Sequence, residues 1–177
     1  MIYVIYHQVK PGIDCPDGIA AAWVVRRHLR VLGMSGIEYV GRCYDDTRPL
    51  PEFRSGDEIY IVDFSFKASI VKGWMDQGCK VVIYDHHKTA EEEMQKLMDG
   101  SLSDHLKKGK SSIKFDMGES GATLAWKEMS GGIEPPEFLK HIKDRDLWDF
   151  ALDGTQEIHE AMGAMGRSFE LFDALMA

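Results

Sequence analysis

The chain has few cysteines, no long apolar run, no excess of basic charge and no repeat. Each shortage excludes something. Three cysteines, Cys15, Cys43 and Cys79, stand far apart with no Cys-x-x-Cys pair. An odd, scattered set argues against a disulfide framework or a structural zinc knot. No apolar run approaches the roughly 18 residues of a membrane span. The opening Met1-Ile2-Tyr3-Val4-Ile5-Tyr6 has no basic segment ahead of it and reads as a buried strand rather than a signal peptide. A cytoplasmic protein with no membrane partner is the expectation. A formal net charge of −8 disfavours a coat for duplex nucleic acid, which draws on clustered Lys and Arg.

The residues present are ordinary in bulk and patterned in detail. At 177 residues the chain has room for one well-packed domain, with a core over about residues 1–150 and a helical segment over about 151–177. Short apolar runs alternate with longer amphipathic stretches, the signature of βαβ units. Strands are predicted at Ile2–Tyr6, Glu38–Tyr44, Glu58–Val62, Lys80–Tyr84 and Ser112–Phe115. Helices are predicted at Gly18–Leu32, Ala68–Gln77, Glu91–Met98, Gly121–Glu128, Pro136–Phe150 and Gln156–Ala164. This pattern gives an α/β fold class, a mainly parallel, Rossmann-like three-layer sheet with a mostly helical C-terminal part. Gly100–Lys110, rich in Ser, Gly and Lys, reads as a flexible loop. Two basic clusters, Arg26–Arg30 and His105–Lys110, read either as solvated surface or as contacts to a phosphate-rich substrate.

The polar residues at the strand ends carry the chemistry. One apolar strand runs directly into His7, another into Asp63, a third into Asp85-His86-His87. The loop Ile13-Asp14-Cys15-Pro16-Asp17-Gly18 comes after the first strand. In open parallel sheets ligands bind outside the carboxyl ends of strands. Taken singly, an Asp after a strand is commonly a helix cap. Taken together, several carboxylates at one rim are costly unless cations neutralise them. Carboxylate and imidazole ligands without a thiolate pair suit Mn²⁺, Mg²⁺, Fe²⁺ or Zn²⁺. Trp23 and Trp126, at apolar helical spacing, read as core; Trp148, Phe64 and Phe66 are candidates for base stacking.

These residues resemble the motifs of the DHH phosphoesterases, the family of RecJ-type exonucleases and family II pyrophosphatases. The namesake tripeptide is similar to Asp85-His86-His87 after its strand, and the second motif to Val62-Asp63-Phe64-Ser65. The first motif looks like His7 with Asp14-Cys15-Pro16-Asp17-Gly18, and the fourth like Lys143-Asp144-Arg145-Asp146-Leu147-Trp148. Glu119-Ser120-Gly121-Ala122-Thr123 is similar to a helix start between the third and fourth motifs. The resemblance implies a two-ion site, with Mn²⁺ as the expected ion and Mg²⁺ or Co²⁺ as substitutes. His7 and Asp63 would hold one ion; Asp63 would bridge to a second held by Asp17, His86 and Asp144. His87 would reach the phosphate, Asp85 would orient a histidine, and Arg145 would stabilise phosphate charge or pair with Asp144 or Asp146. The implied reaction is hydrolysis of a small phosphate ester or anhydride: a short single-stranded oligonucleotide, a cyclic nucleotide or polyphosphate.

Two departures bear on that reading. Cys15 stands where the family's first motif has an Asp, and Gln8–Ile13 enlarges the loop before it. Asp14 takes the missing ligand's place, or Cys15 does, or the place goes unfilled; the residues leave all three open. Nothing after Phe150 resembles the glycine-rich DHHA1 domain that binds substrate in many relatives. The altered first motif also suits a second class of function, a degenerate DHH module that binds without catalysing.

Overall fold

Strands covered on both faces need apolar side chains at successive positions, and three segments of this sequence supply them. They are β1 (Ile2–Lys10), β4 (Glu58–Val62) and β5 (Lys80–Asp85). They form the centre of a six-stranded sheet with β2 (Ile13–Asp14), β3 (Ile37–Arg42) and β6 (Ser112–Phe115). The computed structural model describes residues 1–98, 106 and 111–177. Apart from Leu106, the Gly100–Lys110 loop and the second basic cluster within it therefore lie outside the described residues.

The parallel strands run in the order β3-β1-β4-β5-β6, and β2 adds an antiparallel pair to the end of β1. The chain thus leaves β1 toward one edge and returns on its other side, which puts the switch in strand order between β1 and β4. Seven helices accompany the sheet among the described residues. They are α1 (Pro16–Val31), α2 (Ala68–Asp76), α3 (Lys88–Met98), α4 (Gly121–Met129), α5 (Glu137–Asp146), α6 (Thr155–Ala164) and α7 (Phe169–Met176).

Side chains alternate across the sheet as strand geometry requires. Val4, Tyr60, Val62, Val82 and Tyr84 join one core with α1, α4, α5 and α7. Tyr3, Ile5, Ile59, Ile61 and Ile83 join a second core with Val71 and Met75 of α2 and Met94 of α3. In the first core the indoles of Trp23 and Trp126 stack 6.3 Å apart, both buried as expected, and Phe172 of α7 meets Trp23 edge-on. Arg26, from the first basic cluster, pairs with Asp173 at 2.9 Å and covers the Phe169 ring. That pairing ties α7 to α1. No helix among the described residues is long and apolar enough to cross a membrane.

Element boundaries differ from expectation at two places that matter for the site. The helix expected over Pro136–Phe150 ends at Asp146, because Trp148 and Phe150 adopt left-handed φ of 60° and 46°. A helix cannot continue through such residues. The first strand, expected to stop at Tyr6, continues to Lys10, so His7 lies inside β1 rather than beyond it.

Candidate metal centre

Three parallel strands and two helix starts converge at one rim. His7 of β1 faces Asp63, the first residue after β4, with Nδ1 3.4 Å from Oδ2. His86, just after β5, brings Nε2 within 3.0 Å of Asp63 Oδ1, 3.4 Å of Asp146 Oδ2 and 3.9 Å of Asp17 Oδ2. Asp63 is thus the hub, and it is fully buried. Its φ of 54° is left-handed, a conformation that Asp tolerates better than most residues and that functional sites tend to collect.

Asp17 sits in the first turn of α1, where Pro16 occupies a position that needs no backbone donor. Its carboxylate is fixed by the start of α4: the Ser120 hydroxyl donates to Oδ1 at 2.7 Å, Ala122 N–H to Oδ1 at 3.1 Å and Gly121 N–H to Oδ2 at 2.5 Å. A helix N-terminus is a natural seat for an anion. Residue 121 must be glycine here, since a Cβ would lie 2.8 Å from Asp63 Cα and 2.9 Å from Asp17 Oδ2.

Donor atoms gather into three overlapping groups: His7, Cys15 and Asp63; Asp63, His86 and His87; Asp17, His86 and Asp146. The most telling sign that these groups fit cations is polar accounting. Asp63 Oδ2 and Asp146 Oδ2 are both buried and neither accepts a hydrogen bond. Buried carboxylate oxygens are rarely left so. Burial raises the Asp17 carboxyl well above its ordinary range, with the charges of Asp63 and Asp146 adding to the effect. Asp146 is raised by burial and by Asp63. Burial alone would raise Asp63 too, but the adjoining His7 and His86 rings outweigh it and hold that group low. Three acidic groups crowded around one imidazole are mutually repulsive unless protons or cations intervene.

Asp85 is completely buried and works one layer back. It accepts from the Ser65 hydroxyl at 2.7 Å, from His86 N–H at 2.8 Å and from His87 Nδ1 at 2.6 Å. The histidine it orients is therefore His87, whose basicity rises chiefly through that bond. Tyr44 and Phe64 wall the same rim against His7 and His87. Phe64 is buried, which removes it from the candidates for base stacking, whereas Trp148 stands 74% exposed.

Of the residues singled out from sequence, His7, Asp17, Asp63, His86 and His87 come together, and two do not. Asp144 points away: its oxygens accept from Ala151 N–H, Leu152 N–H and the Thr155 hydroxyl, at 2.8, 3.2 and 2.5 Å. It organises the turn into α6, and Asp146 takes its place at the cluster. Residues two apart on a helix face about 200° apart, so only one of the pair can reach the cluster. Asp146, part-buried, shares the helix face of Leu139 and Ile142, which turns it toward the cluster, while Asp144 is buried on another face. Asp14 is also elsewhere, accepting from Gln8 Nε2 at 2.7 Å, while Cys15 stands with His7 and Asp63. Arg145 lines a cavity beside Asp146 and forms no ion pair with a described carboxylate.

No family model matches the chain. The uncharacterized protein R106 of Acanthamoeba polyphaga mimivirus is similar to it, 25% identical over 166 residues. That alignment covers 87% of this chain and 35% of the viral protein, so the chain spans about a third of the relative it matches.

The electrostatics give a pH signature. Burial would lower His86, but its bond to Asp63 and the charges of Asp17, Asp63 and Asp146 push it up to about 9. A raised imidazole stabilises the ion-free fold fully below its unfolded value near 6.5, and that contribution fades as pH rises through about 9. A ligating imidazole must be neutral, so a cation displaces the proton. The expected result is that Mn²⁺ affinity climbs by at least about tenfold per pH unit through the neutral range, because His86 must give up its proton to a cation, read by equilibrium dialysis. The rise in melting temperature on adding Mn²⁺ should widen over the same window.

Proposed function

We propose that the chain is a metal-dependent phosphohydrolase of the DHH kind, acting on a small phosphate ester or anhydride. The observation that carries this reading is the meeting of His7, Asp17, Asp63, His86 and Asp146 around two buried carboxylate oxygens that accept no hydrogen bond. His7, Cys15 and Asp63 would hold one ion; Asp17, His86 and Asp146 would hold the second, with Asp63 reaching both.

Divalent ions in such a pair supply Lewis-acid polarisation of a phosphoryl group and make water acidic enough to attack near neutral pH. The protein's own residues do the rest. Asp85 fixes the His87 ring through Nδ1 and favours its protonated form, so the imidazolium would donate its Nε2 proton toward the leaving-group oxygen and return to the neutral ring. The Ser120–Ala122 helix start fixes the Asp17 carboxyl group in place, so its rotamer would be set before any ion arrives. Tyr44 and Phe64 pack against the His7 ring and hold it in place.

Cys15 marks the ion preference. A thiolate beside imidazole and carboxylate favours Fe²⁺, Co²⁺ or Zn²⁺ over Mn²⁺. Burial, then the charges of Asp63 and Asp17, push this thiol up in the ion-free protein, and ligation would reverse that direction. Cys15→Asp is expected to shift the preference toward Mn²⁺ by at least about tenfold in the Mn²⁺:Co²⁺ affinity ratio. Competition dialysis measures it.

The direct test is hydrolysis of bis-p-nitrophenyl phosphate and p-nitrophenyl phosphate across Mn²⁺, Mg²⁺, Co²⁺ and Zn²⁺, with elemental analysis of the purified chain. Turnover that requires an ion supports the reading. No turnover with every ion, and no ion retained, would replace it with a non-catalytic DHH-like binding module.

A further inference from the structure

A cavity of about 300 Å³ adjoins the cluster. Its lining includes Cys15, Asp17 and Asp146 from the ion groups, together with Arg145, His159 and Arg167. We propose that these last three form an anion subsite for a phosphate group of the substrate, adjoining the ions. The proposal rests on the phosphohydrolase reading and names what the C-terminal helices contribute to it.

The donors come from three elements, two of which lie beyond the DHH-like motifs. Arg145 lies on α5, His159 on α6, and Arg167 in the turn before α7. Neither guanidinium is within ion-pair distance of a described carboxylate. Arg167 spends an Nη2 donor on His159 Nε2 at 3.0 Å and another contact on the His159 carbonyl at 3.3 Å. Accepting at Nε2 leaves the proton of the neutral ring on Nδ1. Nδ1 of His159 and Nε of Arg167 are both buried and lack a hydrogen-bond partner. Two orphaned donors on residues that line one cavity call for an acceptor.

Charge says which acceptor. Burial lowers His159, and the positive charges of Arg145 and Arg167 depress it further, down to about 4. Arg167 is lowered in turn by burial and by Arg145. Like charges gathered around a neutral donor are relieved by an oxyanion, and the guanidinium fork matches phosphate oxygens. Asp14, Asp17 and Asp146 also line the cavity and would repel such an anion. Phosphate affinity should therefore depend on the ions, and by linkage phosphate should tighten the ions by the same factor. A substrate ending in a phosphomonoester or pyrophosphoryl group fits this arrangement better than an internal diester, which carries less charge.

The experiment titrates inorganic phosphate into the full chain with and without Mn²⁺, by calorimetry, while Mn²⁺ occupancy is followed separately by electron paramagnetic resonance. Wild type is expected to bind phosphate at least about tenfold more tightly with Mn²⁺ present. Arg167→Gln should weaken phosphate by about tenfold or more at unchanged Mn²⁺ occupancy, a loss of the size expected for one charge-assisted contact. Arg145→Gln should do likewise and serves if the first variant does not fold. In wild type the His159 ring resonances should shift on phosphate addition. Equal phosphate affinity in both variants, or an unmoved His159, overturns the subsite. A wild type that takes no Mn²⁺ yet binds phosphate through Arg167 would overturn the ion reading and leave the subsite standing.

Discussion

Asp63→Asn is expected to abolish tight divalent-ion binding and to lower ion-dependent phosphate hydrolysis by on the order of 10³-fold or more. Asp63 belongs to two of the three donor groups, with Oδ1 beside His86 and Oδ2 beside His7. His86 also belongs to two groups, but Asp63 alone among the described residues shares one with His7 and Cys15 and another with His86 and His87. Asparagine is the informative replacement. It shares the tolerance of Asp for left-handed backbone, so the φ of 54° is retained. Alanine at the same position would add backbone strain to the lost charge and confuse the two effects. Far-UV circular dichroism checks the fold, and electron paramagnetic resonance counts bound Mn²⁺. An Asp63→Asn protein that keeps its Mn²⁺ and turns over within about tenfold of wild type defeats the assignment of the hub.

Asp144→Asn and Asp146→Asn are expected to separate cleanly, although the two positions are near neighbours in the chain. Asp146→Asn should cost about 10²-fold in affinity for the second ion, with little change in melting temperature of the ion-free protein. Relief of repulsion with Asp17 and Asp63 works in its favour there, because Asp146 is raised by burial and by Asp63. Asp144→Asn should leave ion binding within about twofold and lower stability by about 1.5–3 kcal/mol, the usual worth of hydrogen bonds to a charged group. The buried Asp144 carboxylate accepts two backbone donors and a hydroxyl at the start of α6, and asparagine has one acceptor oxygen for those three donors. Dialysis against Mn²⁺ and urea denaturation distinguish the outcomes. Loss of the ion in the Asp144 variant alone would reverse the placement.

Strand ends were the most legible part of the sequence because buried parallel strands are continuous apolar runs, and the residues just after them land at one rim. That logic brings His7, Asp63 and Asp85-His86-His87 together, within a residue or two of the observed strand boundaries except at the far end of β1. Helical segments were harder. Asp144 and Asp146 both sit in one polar run, and choosing between them requires the phase of α5, set by Leu139 and Ile142 against the core. The choice between Asp14 and Cys15 was closed to sequence because β2 turns the chain there: pairing of Gln8 with Asp14 directs one side chain to Gln8 and leaves its neighbour at the cluster. Arg167 and His159 carried no local signal, since their meeting depends on how the chain folds back after α6.

The seam between α1 and α4 has a consequence for how damage to this chain would present itself. Asp17 belongs to the first turn of α1 and is gripped by the first turn of α4, while Trp23 and Trp126 stack farther along the same two helices. Loosening the indole pair relaxes the grip on a carboxylate that neither indole touches. Alleles altered deep in the apolar interior would thus present as defects of the rim, although every side chain at the rim remained intact.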